Sequence, residues 1–263
     1  MKISCARNGQ NLDRRPVPRL ASTLLAAALV LVPPSASAEE SDRLPRWVMG
    51  SLRQDFAWLD GNAVCSPASQ AAGDFACFRS NDTQYLGTPN PADAARVRGL
   101  SVATTRVLVG YQQFVTRALS LAGWAGVAVR GGGPKPLGED AHAFLPLHLE
   151  AQLSVWPWGP PLQVGRPRPF ALVGGGLAQV DAQAKIRVRE DRSAPAAPSQ
   201  LDNPDEQTLT AYRKAGTGFA SAGLGVACAL SRHWVLRAAL TGLVSFPAPG
   251  IGAGLEAGIA FDL

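Results

Sequence analysis

An all-β fold is predicted by three features of this 263-residue sequence. Past residue 45, apolar and polar residues alternate one for one in segment after segment. Clusters of Gly, Pro, Asn, Asp and Ser separate those segments. No stretch beyond the leader carries a convincing helical period. Eight segments read as strands: roughly 46–59, 99–112, 117–130, 143–156, 169–189, 212–230, 233–246 and 250–263. An even number of antiparallel strands, joined by long connections on one side and mostly short ones on the other, predicts a closed up-and-down barrel.

The chain opens with a leader rather than fold material. Residues 1–38 combine Arg7, Arg14, Arg15 and Arg19, an apolar run from Leu20 to Val32, and Ala36-Ser37-Ala38 ahead of Glu39. This is the pattern of a secretory signal peptide, and the run is too short to span a bilayer. Arg14-Arg15 lacks the rest of a twin-Arg motif, so Sec export is expected. Cys5 precedes the apolar run and is no lipidation site. Residues 39–45 are expected to be a short periplasmic segment, and 46–263 the barrel. The leader takes Lys2 and four Arg against Asp13, which removes a net +4 of the formal +5. A near-neutral mature chain gives no reason to expect nucleic acid. An exported chain without long apolar helices is either soluble in an oxidising space or a membrane barrel.

The strands show two unlike faces. In 143–156, Leu145, Leu147, Leu149, Leu153 and Val155 oppose His148, Glu150, Gln152 and Ser154. In 178–189, Ala178, Val180, Ala182, Ala184, Ile186 and Val188 oppose Gln179, Asp181, Gln183, Lys185, Arg187 and Arg189. Segment 234–241 sets Trp234, Leu236, Ala238 and Leu240 against Arg237 and Thr241. The last segment alternates from Ile251 to Leu263 over a face of Gly and Glu256.

Two features decide which face is wet. The polar face of 217–227 is mainly small residues, with Ser221, Gly223 and Gly225, as suits the crowded inside of an eight-stranded barrel. The aromatics gather at the two ends. Trp47, Tyr111, Phe114, Trp156, Trp158, Phe170, Trp234 and Phe261 lie near the short turns; Phe56, Trp58, Phe144, Tyr212 and Phe246 lie near the long loops. Two aromatic girdles around an aliphatic band predict an all-β, eight-stranded antiparallel up-and-down transmembrane β-barrel in an outer membrane. Outer-membrane lipid is then its first partner.

The chain resembles, over 46–263 and in architecture, the small eight-stranded outer-membrane barrels of the OmpA transmembrane domain, OmpX and OmpW group. It also looks like uncharacterised outer-membrane β-barrel-domain proteins of Gram-negative bacteria. The resemblance implies that the barrel-assembly machinery reads the last strand, with Phe261 and Leu263 as the C-terminal assembly signal. The group's usual terminal Phe is replaced here by Leu263. No periplasmic peptidoglycan-binding domain is expected after the barrel.

Parity sends Arg53, Asp55, Arg106, Arg130, Glu150, Arg237 and Glu256 into the interior, with His148 and Gln152. Such a set is either a proton or ion path or a salt-bridged plug. The plug is favoured, because buried charges must be paired and an eight-stranded lumen has room only for side chains. His148 and Glu150 share a face, but three His in the chain and no Cys-x-x-Cys give no zinc site. Gly218 to Gly223 has the spacing G-x-x-S-x-G rather than the hydrolase elbow, so no catalytic residue is assigned. Gly174-Gly175-Gly176 is read as a narrowing or bending of a strand, and no phosphate or dinucleotide motif follows it. No cofactor and no metal are expected.

The loops are the functional candidates. Residues 60–98 hold Cys65 and Cys77, read as a disulfide against the alternative of two free thiols. Cys228 reads as a small packing residue. Residues 190–211 exceed what spanning strands need and are expected to project outward as a hairpin with an acidic tip. The expected role is structural or adhesive, through an extracellular or envelope protein partner. Kept beside it are a small pore or OmpW-like conduit for apolar solutes, a lipid-modifying barrel enzyme, and a soluble periplasmic barrel that binds a lipophile.

Overall fold

A computed structural model describes residues 44–61, 64–72, 75–90, 97–137, 143–193 and 204–263. The leader at 1–38 and most of the segment at 39–45 lie outside the described residues. Eight strands close into a barrel: β1 (Arg46–Gly61), β3 (Val97–Phe114), β4 (Leu119–Arg130), β5 (Leu147–Val155), β6 (Pro167–Ala178), β9 (Gly218–Ala229), β10 (Trp234–Phe246) and β11 (Gly250–Asp262). Every neighbouring pair is antiparallel. Closure comes from β1, which pairs with β3 on one side and with β11 on the other. The meeting of Trp47 with Asp262 defines a terminal end, and the opposite end carries the long loops.

Strand alternation sets what lies inside. In β5, His148, Glu150, Gln152 and Ser154 are buried, while Leu147, Leu149, Ala151, Leu153 and Val155 are exposed. The same holds round the wall, where Leu52, Val109, Leu121, Val173, Leu240 and Leu255 are exposed. The barrel is therefore polar inside and apolar outside. A soluble lipophile carrier needs the reverse arrangement, and that alternative is set aside.

Two of the eight predicted segments are each divided in the structure. Segment 169–189 breaks at Gln179 into β6 and β7 (Val180–Arg189). Segment 212–230 breaks at Gly216-Thr217 into β8 (Glu206–Ala215) and β9. Gly216 has φ +65°, a left-handed backbone that glycine adopts without strain. Beyond these breaks β7 and β8 leave the barrel wall and join β2 (Ala76–Phe78) in a separate three-stranded sheet, ordered β2-β8-β7. The hairpin does not stand straight out. Val180, Ala182, Ile186 and Val188 pack with Ala57, Leu59, Ala103 and Leu243 of the barrel rim, so an apolar face folds back toward the mouth. Burying that face is favourable at about 25 cal/mol per Å² of apolar surface, which an upright hairpin would forgo.

One short helix, α1 (Pro67–Ala71), lies in the first long loop. Ser66 caps it, accepting from the Ser69 N–H at 3.1 Å, and Pro67 begins it. Five residues are too few for a helical period to register in the sequence.

Candidate functional site: the barrel interior and its cap

The lumen is filled at successive levels. At the terminal end four aromatic side chains point inward. The Trp47 and Phe114 ring centroids are 5.0 Å apart, Phe114 and Trp156 5.3 Å, and Trp156 and Phe170 4.5 Å. All four are fully buried. The indole N–H of Trp156 donates to Ser120 Oγ at 2.9 Å, and Gln112 Nε2 donates to the same oxygen at 2.9 Å. These four were expected in the short-turn girdle. The structure moves them inside, because they share strand parity with the polar lumen residues. Tyr111, Trp158 and Trp234 remain exposed at that end.

Above the aromatics sits Arg237. Its guanidinium lies 4.7 Å from the Phe170 ring centroid and 5.3 Å from that of Trp124. It donates to Gln152 Oε1 at 2.6 Å and to Gln112 Oε1 at 3.1 Å, and its Nε is 4.0 Å from Glu256 Oε1. The next group joins five strands. Arg53 donates to Asp55 at 3.0 Å, to Glu150 at 2.9 Å and to Thr241 Oγ1 at 3.3 Å. Arg106 donates to the other Asp55 oxygen at 2.7 Å. Glu150 also accepts from Ser221 Oγ at 3.0 Å and from His148 Nε2 at 3.1 Å. The carboxylate can only accept, so His148 carries its proton on Nε2.

Charge in the lumen balances, with Arg53, Arg106 and Arg237 against Asp55, Glu150 and Glu256. Such balance is what keeps buried ions tolerable. Glycine provides the room. A Cβ at Gly254 would come within 2.8 Å of Arg53 Nε, and one at Gly174 within 2.8 Å of Glu150 Oε1. The Gly174-Gly176 run thus leaves space for the Glu150 carboxylate beside β6.

Of the residues assigned to the interior from parity, Arg53, Asp55, Arg106, His148, Glu150, Arg237 and Glu256 are buried. Arg130 is not; it is exposed at the rim. The β3–β4 register shifts between Thr105 and Arg106, so Arg106 faces Ala128 but Thr105 faces Arg130. A β-bulge of this kind re-aims the residues beyond it, and Arg130 leaves the lumen. Sequence reasoning missed Gln112, although its parity with Arg106 would have found it.

The cap closes the long-loop end. Cys65 and Cys77 form a disulfide with Cα atoms 5.5 Å apart, inside a cluster with Val64, Phe75, Tyr85, Leu209 and Ala211. Arg106 links lumen to cap, since its Nη2 donates to the Gln179 carbonyl at 2.7 Å. The Asp181 N–H donates to Thr104 Oγ1 at 3.0 Å, and an Asp181 carboxylate oxygen accepts from the Gly133 N–H at 2.6 Å. Burial pushes the Asp181 carboxyl above the usual carboxylate range. Tyr85 donates its hydroxyl to Glu190 Oε2 at 2.7 Å, and Glu190 also accepts from the Thr88 N–H at 2.8 Å. Burial, and then this hydrogen bond, hold the Tyr85 phenol well above its ordinary value. Asp181 could not have been read as a site: by parity it belongs to the polar face of β7, and its burial comes from tertiary contacts with Thr104 of β3 and Gly133 of the 131–137 loop.

The exterior decides the setting. A closed antiparallel wall satisfies every strand edge, and an apolar outer face with a charged, filled interior is the construction that lipid requires. The chain is an outer-membrane β-barrel. No family model and no curated protein matches it. Among solved structures it is similar to the N-terminal β-barrel domain of Pseudomonas aeruginosa OprF, with 13% identity and a TM-score of 0.36 over 83% of this chain and 100% of that one. It is also similar to Ail, the attachment invasion locus protein of Yersinia pestis, with 10% identity and a TM-score of 0.34 over 84% of this chain and 99% of that one.

Proposed function

We propose that the protein is a non-conducting outer-membrane scaffold that presents its disulfide-bonded cap at the cell surface, in a structural or surface-interaction role. The observation that carries this reading is the filled interior: an aromatic floor, a charge-balanced middle and a cap that packs on the rim. A conduit for apolar solutes is disfavoured by a lumen lined with six buried charges, three of each sign. Catalysis is disfavoured by geometry. Among the described residues no His hydrogen-bonds Ser221, and the Glu150 carboxylate it donates to is already held by Arg53 and His148 inside the buried network.

On this reading the terminal end faces the periplasm and residues 39–45 begin there. Phe261 and Leu263 serve as the assembly signal for the barrel-assembly machinery, supported by the outward position of Phe261 against Trp234 at 5.1 Å. The partner is an extracellular or envelope protein that meets the cap. Protease shaving of intact cells tests the orientation. Trypsin added outside should cut the full chain beside Arg187, Arg189 or Arg192 in the cap and leave the barrel whole. Cleavage there only after the outer membrane is breached would contradict the proposal.

A further inference from the structure

We infer that the terminal end carries a surface for anionic phospholipid headgroups, centred on the connection between β5 and β6. The inference rests on the proposed orientation, which sets that end in the phospholipid leaflet. The connection is longer than a turn requires, and the structure shows where the extra residues go. A Cβ at Gly159 would lie 3.5 Å from the Arg117 carbonyl of the β3–β4 turn. At its far side Val164 bridges Ala229, and the Gly165 N–H donates to the Ala229 carbonyl at 2.9 Å. The segment thus ties together the turns on either side of it. Pro160 and Pro161 are buried, while Trp158 (62% exposed), Leu162 and Val164 are left outside.

The neighbouring turns continue the pattern. Val115 and Leu230 are exposed, as are Arg117, Arg166 and Arg232. Asp262 is the only acidic side chain at this end among the described residues, and one of its oxygens accepts from the Arg46 N–H at 3.1 Å. The surface is therefore cationic, with single apolar side chains between the arginines. It runs directly into the lipid-facing band at Leu119, Val155 and Trp234. Dispersed apolar anchors, interspersed arginines and continuity with the lipid-exposed wall fit a headgroup layer rather than a protein partner. Each arginine near an anionic surface contributes about a fivefold preference.

The test uses the whole mature chain refolded into nanodiscs of phosphatidylcholine and phosphatidylglycerol in equal amounts. After stepwise delipidation with detergent, the retained lipid is identified by mass spectrometry. Phosphatidylglycerol should be enriched about fivefold or more. The enrichment should vanish in Arg117→Gln/Arg166→Gln/Arg232→Gln. In Trp158→Ala/Leu162→Ala less of both lipids should be retained, with the phosphatidylglycerol preference kept. All five positions are exposed, and heat-modifiable migration on a gel checks that each variant still forms the barrel. Equal retention of the two lipids by the unaltered chain would overturn the inference, as would an unchanged preference in the triple variant. Excess inorganic phosphate should leave the enrichment intact; its loss would mean a free-anion site and overturn the headgroup assignment. The protease result reports on orientation separately, so failure of one is distinguishable from failure of the other.

Discussion

The lumen and the cap are two cores of one chain built on opposite terms. The lumen is bounded by a wall whose outer face is apolar, and it is filled with ion pairs, amides and aromatic rings. The cap has aliphatic side chains around a disulfide, as a small water-facing domain would. The difference follows from solvent. Lipid claims the apolar side of every barrel strand, which leaves the polar side to fill the interior. Water claims the polar side of β7 and β8, which leaves the apolar side for the cap. The lumen is consequently sensitive to the loss of any one charge, whereas the cap should loosen without taking the barrel with it.

Several substitutions would break or sharpen this contrast. The largest effect is expected in the middle of the lumen. Glu150→Ala leaves Arg53 short of one partner and strips His148 and Ser221 of theirs, and removing one member of a buried ion set costs roughly 3–5 kcal/mol. Urea unfolding of the barrel in micelles, followed by gel mobility, measures it. A loss below about 1 kcal/mol would mean the network is not structural. Trp156→Ala should cost about 3 kcal/mol or more, the value for truncating a large aromatic in a packed core.

The cap gives a different readout. Cys65→Ser/Cys77→Ser should cost the cap about 2–4 kcal/mol, seen as faster tryptic cleavage beside Arg189 and Arg192 with the heat-modifiable shift of the barrel unchanged. Loss of that shift would show that cap and barrel unfold together. Tyr85→Phe is smaller, about 1 kcal/mol for one hydrogen bond. Its pH dependence has a definite sign. The folded phenol is held above its unfolded value of about 10, so its contribution is full below that pH and is lost as pH rises further. Absorbance titration of phenolate should therefore show a late component that shrinks in the variant, with Tyr212, which burial also raises, remaining. Arg130→Ala should stay within about 0.5 kcal/mol, in contrast with its strand mates inside.

Much of the barrel was legible because a strand in lipid advertises its two faces at every residue. Parity through β5 and β10 placed Glu150 and Arg237 without any knowledge of their partners. The same parity failed where the backbone departs from regularity. One bulge turned Arg130 outward, and breaks at Gln179 and Gly216-Thr217 folded a hairpin that alternation alone showed as straight. The aromatics near the short turns misled for another reason. Position along a strand identifies a girdle, but only face tells a girdle residue from a floor residue, and Trp156 and Phe170 lie on the inner face. Which carboxylate pairs with which guanidinium depends on the stagger between distant strands, and no local pattern encodes it.

The central claim is that the lumen is closed. Planar-bilayer recording of the whole refolded chain tests it most directly. The account predicts no stable conductance step for the unaltered protein, and none on Trp156→Ala, because the charged middle and the cap still fill the lumen. A steady ohmic channel in the unaltered protein would contradict it and would make the lumen charges the lining of a path.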